Sequence, residues 1–148
     1  MPLTDMIQIL NGIQNTSAAL DAERTRLDVI SQNIANTYTT HDTDGKPYQR
    51  RVVVFETALN NAMSGEGNGS NLPALQVAKI EKDTRPPLQV YEPGNPDADA
   101  HGMVSMPNIN IHEEMADLIS ASRTFEANLA VVKNARSMAM QTLAIGKH

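Results

Sequence analysis

Several side-chain clusters in this sequence are of types that could do chemistry. His112-Glu113-Glu114-Met115-Ala116 opens like a zinc-protease helix, in which two histidines four residues apart share a metal and the intervening Glu serves as base. Position 116 is Ala, so the second imidazole is missing and Glu113 is better suited to a helix cap. Asp42-Thr43-Asp44-Gly45 hints at a calcium loop, which places acids at positions 1, 3 and 5, Gly at 6 and Glu at 12. Counted from Asp42, Gly falls at 4 and Val53 at 12, so an Asp-Gly turn ahead of a strand explains it more simply. Gly65, Gly67 and Gly69 resemble a dinucleotide loop, but such a loop follows a strand and opens a helix so that backbone N–H groups meet pyrophosphate. Here Asn71-Leu72-Pro73 follows, which is linker chemistry. Asp97, Asp99 and His101 could meet a metal in a loop, although acidic turns rich in Gly and Pro are usually just solvated. No Ser-His-Asp order with an elbow context occurs. The absence of Cys removes disulfides, thiolate metal sites and a cysteine nucleophile together. The sequence therefore assigns no catalytic residue, no cofactor and no metal ligand.

The elements that would position these residues point elsewhere. The 148 residues suit about one domain, and 12 basic against 17 acidic residues give a net charge of −5, which argues against a phosphate-neutralising surface. Only Tyr38, Tyr48, Phe55, Tyr91 and Phe125 are aromatic, against 17 Ala. Aromatic side chains dominate most compact cores, so a core incomplete within one chain is expected. Apolar runs reach four residues, as in Val52-Val53-Val54-Phe55, far short of the ~20 that span a bilayer. The first basic residue is Arg24, so no cleaved secretory signal is readable; a cytoplasmic protein, or one exported by another route, is expected.

Residues 1–36 read as one long helix. Met6, Ile13, Leu20, Leu27 and Ile34 repeat every seven residues, Ile9 and Ile30 fill intermediate positions, and Thr16 and Glu23 interrupt them. Thr4 is the expected N-cap. Residues 109–148 mirror this, with Ile111, Leu118, Phe125, Val132 and Ala139 in one row and Met115, Ser122, Leu129, Arg136 and Leu143 in a second. Asn110 and Glu113 have capping-box spacing, and Gly146 suits a C-terminal stop. Between the helices, residues 37–108 hold seven of the eight prolines and six of the eight glycines. There the pattern predicts strands over Tyr48–Glu56, Leu75–Ile80, Leu88–Tyr91 and Met103–Met106, with a flexible loop at Ser64–Asn71. The expected fold class is α+β: long terminal heptad helices forming one split, coiled-coil-like core domain around a small β-containing insert.

A heptad stripe is a surface that requires a partner helix. The two ends could pair as an antiparallel hairpin, and both carry further apolar residues outside the seam, which suggests lateral packing against other chains as well. The expected assembly interface is Met6, Ile13, Leu20, Leu27, Ile30 and Ile34 on the first helix, with Ile111, Met115, Leu118, Phe125, Leu129, Val132 and Leu143 on the last. Thr16, Glu23, Ser122 and Arg136 could fix register, or Glu23 and Arg136 could simply reach solvent.

Leu27 to Thr40 reads LDVISQNIANTYTT, in which Asn33, Ile34, Ala35 and Asn36 match the NNIANxxT segment of bacterial flagellar rod and hook proteins, with Gln32 replacing the first Asn. Pro96-Asp97-Ala98-Asp99, running on to Met106-Pro107-Asn108, resembles the proximal-rod branch of that axial family, although Asn95 and Met103 stand where His and Tyr are usual. The resemblance covers residues 3–146. It implies a non-enzymatic structural subunit whose terminal helices stack into a helical tube that joins motor to hook and transmits torque. It also implies as partners copies of the chain, other rod proteins, a rod-to-export-gate adaptor and the flagellar type III export apparatus, with no nucleic acid and no small-molecule substrate. The location implied is the rod crossing the periplasm, reached without signal cleavage. A soluble helical adaptor or export chaperone that binds a client helix would need the same exposed stripe.

Overall fold

The computed structural model describes residues 3–58 and 74–145. Two long helices, α1 (Leu3–Ala35) and α2 (Ile111–Ile145), enclose four strands in sequence: β1 (Arg51–Ala58), β2 (Ala74–Lys82), β3 (Leu88–Tyr91) and β4 (Met103–Met106). The fold is α+β, with the β structure confined to the insert. At about 1.5 Å per residue the helices are each roughly 50 Å long.

The helices run antiparallel. Asn33, near the end of α1, bonds Glu114 in the first turn of α2, whereas Arg26, two turns earlier, reaches Asp117, one turn later. Ala22 and Ala121 are both fully buried, so small side chains let the two backbones approach closely. Val29 and Ile30 complete the apolar part of this seam, with Tyr48, Val104 and Ile109 buried toward the insert. Tyr48 is the one buried aromatic residue of this core. The core is thin: Met115, Ile119, Leu129, Val131, Met138 and Met140 on α2 are all at least half exposed.

The helix ends follow from side-chain capping, with two departures from expectation. α1 begins at Leu3, so Thr4 falls inside the helix rather than at its cap. At the other end Asn36 Nδ2 donates to Gln32 O (2.8 Å) and Thr37 Oγ1 to Ile34 O (2.9 Å), which satisfies carbonyls left open where α1 stops. Asn110 caps α2 as expected, its Oδ1 accepting the His112 N–H at 3.0 Å. Glu113, however, meets the Asn110 side-chain amide (3.2 Å) instead of completing the reciprocal backbone bond of a capping box.

The insert consists of two separate antiparallel hairpins, β1–β2 and β3–β4. In the first, Val53 faces Ile80, and the register slips between Val54 and Phe55 so that Ala78 has no partner, a β-bulge. In the second, Leu88 pairs with Met106 and Tyr91 with Met103. β1 begins at Arg51 rather than Tyr48, because the Tyr48 N–H is bonded to Thr39 O (3.0 Å) and its ring turns into the interior. Gly45 closes the Asp42 turn with its N–H on Asp42 O (2.8 Å) at φ +68, so the acidic run there is a turn. The expected loop at Ser64–Asn71 and the stop at Gly146 lie outside the described residues.

Candidate functional site

The polar chemistry of the molecule converges where α1 ends, β1 begins and α2 starts. Asn33 lies on the inner face of α1 and is 1 % exposed. Its Nδ2 donates to Arg51 O (2.9 Å) and to Glu114 Oε2 (3.0 Å), and its Oδ1 accepts the Tyr48 hydroxyl (3.1 Å) and the Arg51 N–H (2.9 Å). One side chain thereby fastens three segments that lie far apart in sequence, with all four of its hydrogen-bonding capacities used. Glu114 is fully buried, and its second oxygen takes Arg50 Nε at 2.6 Å. Arg50 reaches onward to Asp83 (3.7 Å) and Asp117 (3.9 Å), which brings in the segment after β2. Asp83 also accepts the Arg85 side chain (2.8 Å) and backbone N–H (3.0 Å), which hold its carboxyl below the ordinary range. Burial raises the Tyr48 phenol above its usual value, against the pull of Arg51. This junction positions backbone rather than reacting groups, because every buried member is spent on another member.

A second polar contact ties two loops of the insert. Asp97 Oδ2 accepts the Thr40 hydroxyl at 2.6 Å and faces His41 Nδ1 at 3.3 Å, and the Thr40 bond, ahead of His41, lowers the Asp97 pKa. Asp99 Oδ1 accepts the N–H groups of His101 (2.7 Å) and Met103 (2.9 Å), while the Asp97 N–H bonds Asn95 Oδ1 (3.0 Å). These carboxylates shape turns, and among the described residues no three His, Asp or Glu side chains gather as metal ligands.

The helix faces are the opposite case. On α1, Ile13, Leu20, Leu27 and Ile34 are half-buried and Ile30 is buried. On α2, Ile111, Leu118, Phe125 and Val132 are half-buried, whereas Met115 and Leu129 are exposed. The side chains of Met6 and Leu143 lie outside the described residues. The α2 row most deeply set against α1 runs through Glu114 and Ala121. With a turn of about 100° per residue, Met115, Ile119, Leu129 and Met140 fall on one neighbouring face, which they share with Ser122, Glu126 and Lys133. No helix among the described residues is long and apolar enough to cross a membrane.

Comparison with known proteins bears on what these two features serve. The model described as "Flagellar basal body rod FlgEFG protein C-terminal" matches residues 100–145, the end of the insert and all of α2. Over almost its whole length the chain is similar to the flagellar basal-body rod protein FlgC of Borreliella burgdorferi, at 40 % identity over 93 % of this chain and 97 % of the relative. The chain belongs to the FlgC family of flagellar basal-body rod proteins. FlgC of Bacillus subtilis is also 40 % identical (93 % of this chain, 97 % of the relative), and that of Salmonella typhimurium 38 % (94 % and 98 %). FlgC proteins are structural components of the rod, which places this chain in the flagellar basal body with other rod components.

Within that family text, Asn33, Ile34, Ala35 and Asn36 occupy the last turn of α1 and its exit. Asn33 is the centre of the junction and Asn36 the cap, while Ile34 is half-buried and Ala35 exposed. Asp97 and Asp99 shape the β3–β4 turn that contains Pro96 and Ala98, and Met106, Pro107 and Asn108 lead from β4 to α2, with Pro107 buried and Asn108 Nδ2 on Pro86 O (3.1 Å). Sequence reasoning missed Tyr48, Arg50 and Glu114. Glu114 carried one signal, its heptad spacing to Ala121, Asn128 and Ala135 along α2.

Proposed function

We propose that this chain is a non-catalytic building block that polymerises through its terminal helices into the helical tube of the rod, linking motor to hook and transmitting torque. The observation that carries this reading is the division of labour just described. The junction is closed within the chain, whereas Met115, Ile119, Leu129 and Met140 are large apolar side chains on one face of α2, interspersed with Glu126 and Lys133, that nothing covers among the described residues. Six large apolar side chains at least half exposed along one helix, Val131 and Met138 included, suit burial against neighbouring subunits. The reading divides the chain into a core domain split between 1–36 and 109–148 and an insert at 37–108. It takes the heptad rows on both helices as the assembly interface and has copies of the chain and other rod proteins as neighbours. It further includes contact with a rod-to-export-gate adaptor, export by the flagellar type III apparatus without signal cleavage, and a final position in the part of the rod that crosses the periplasm. An export chaperone would share the open stripe, but relatives matched over nearly the full chain are rod proteins, which does not favour it.

Leu129→Asp combined with Met140→Asp tests the reading. Both side chains are more than half exposed, so helix content and melting should stay close to wild type. Burying two unpaired carboxylates between subunits should nevertheless abolish recovery with basal bodies and swimming. Normal swimming by this variant would sink the proposal. Leu27 and Phe125 are half-buried within the hairpin, so charges there would mix loss of fold with loss of assembly.

A further inference from the structure

We propose that the cleft between α1, β1 and the first turns of α2 is a socket for the β3–β4 hairpin of a second copy of this chain. The proposal rests on the rod-subunit reading and names a contact outside the terminal helices. The cleft has a volume of about 290 Å³, with apolar walls from Val29, Ile30, Val52, Val53 and Phe55. Three guanidinium groups line it, and they differ sharply: Arg26 faces Glu23 and Asp117. Arg50 is committed to Glu114, Asp83 and Asp117. Arg51 has no carboxylate within 4.0 Å among the described residues; its side chain has only Gln32 Oε1 at 3.5 Å and the Tyr48 ring, 5.7 Å to the centroid. An uncompensated guanidinium beside an apolar wall is suited to a carboxylate that carries an apolar neighbour, because the desolvated pair forms strong, directional hydrogen bonds.

The chain presents that combination on β3–β4. Tyr91 is 68 % exposed, and Glu92 follows it directly, its carboxylate holding only the side-chain amide of Asn95 on the same turn (3.1 Å). The Tyr91 ring is exposed yet positioned. A Cβ at Gly102 would sit 3.0 Å from Tyr91 Cε2 and 3.1 Å from Pro93 Cβ, so the glycine backbone packs directly beneath the ring. An aromatic side chain held in place before contact loses little freedom on docking. Knob and socket are different patches of one chain, so a copy that docks its knob on one neighbour and receives another neighbour's knob makes a heterologous contact. Repetition of such a contact builds rings or open helices rather than a closed two-fold dimer, which is the symmetry a tubular rod requires.

The wild-type chain has no Cys, which makes the test direct. Two differently tagged copies, one Val52→Cys and one Gln89→Cys, which lies on the Tyr91 face of β3 and leaves the ring in place, are expressed together, basal bodies are purified, and the product is oxidised. A mixed disulfide joining the two tags is expected in basal bodies and not in the dilute chain. Arg51→Glu should lower the amount of chain recovered with basal bodies roughly tenfold or more, and adding Glu92→Arg to it should restore most of the loss. That rescue separates a lost contact from a lost fold. Chain present in basal bodies without the mixed disulfide, or Arg51→Glu assembling normally, overturns the socket alone. Wild-type chain absent from basal bodies overturns the rod reading and the socket with it.

Discussion

At the junction every hydrogen-bonding atom of the Asn33 side chain has a partner, and the buried Glu114 carboxylate is held by both Asn33 and Arg50. Ten residues before Asn33 on the same helix, Glu23 is also buried, at 7 % exposure, yet its Oε2 has no partner among the described residues and its Oε1 lies 4.0 Å from Arg26. Both are polar groups buried on α1. The first sits where three segments meet and can each supply a donor or acceptor; the second has Arg26, on its own helix, as its one charged neighbour among the described residues. Polar burial therefore specifies the fold at one end of the hairpin and weakens it along the stem. A chain built to complete its core with neighbours can accept a loose stem, but it needs one fixed point that sets the angle between helices and insert.

The sharpest way to break this comparison is Asn33→Leu. It strands the Tyr48 hydroxyl, the Arg51 N–H and carbonyl, and one oxygen of Glu114 in the interior, which should cost about 3–5 kcal/mol. Thermal melting followed by circular dichroism should show a midpoint lowered by roughly 10 °C for a chain of this size. A midpoint within a degree or two of wild type would mean that the junction does not hold the three segments together.

The parts of this junction were unequally legible from sequence. The helices follow from a seven-residue repeat, and all four strands from short apolar or alternating runs bounded by turn residues, with β1 beginning three residues later than expected. Asn33 was visible only as part of a resemblance, because its partners come from three places and no local pattern announces them. Glu114 and Arg50 were hidden for a related reason. The most apolar rows attract attention, and on α2 that favours Met115 and Leu129, whereas the face against α1 runs through Glu114 and Ala121. A carboxylate and a methyl group form the close side of the seam because close helix approach needs small residues and the junction needs a charge. The thin core and the scarcity of aromatics agree: Tyr48 is the one aromatic residue buried there, and it is used for its hydroxyl as much as for its ring.

Glu23→Met sharpens the comparison by asking for the opposite sign. Replacing a buried, incompletely paired carboxylate with an apolar side chain of similar length should stabilise the chain by about 1–2 kcal/mol, read as a melting midpoint some 2–6 °C higher. Arg26 keeps its contact with Asp117, 3.9 Å away, so the substitution does not leave that guanidinium without an acid. A lower midpoint would show that Glu23 is a fixed part of the seam, equivalent in kind to Asn33, and the distinction between the two ends of the hairpin would fall.

The smallest effect belongs to the contact that joins loops at the surface. Asp97 accepts the Thr40 hydroxyl and, less strongly, faces His41, and these partners depress its folded pKa below the ordinary carboxylate value of about 3.9. For a depressed carboxyl, the stabilisation is fully present above the unfolded pKa and is lost as pH falls through the folded one, so the latch holds at neutral pH and opens only in acid below about pH 4. Thr40→Val removes the principal cause of the shift. The Asp97 carboxyl, followed by NMR, should then titrate at higher pH than in wild type, while the melting midpoint at pH 7 changes little because the site is open to solvent. An unchanged titration would assign the shift to His41 instead. A large fall in melting at pH 7 would make this loop contact a second fixed point of the fold, and the contrast between a saturated junction and a lightly tied periphery would no longer describe the molecule.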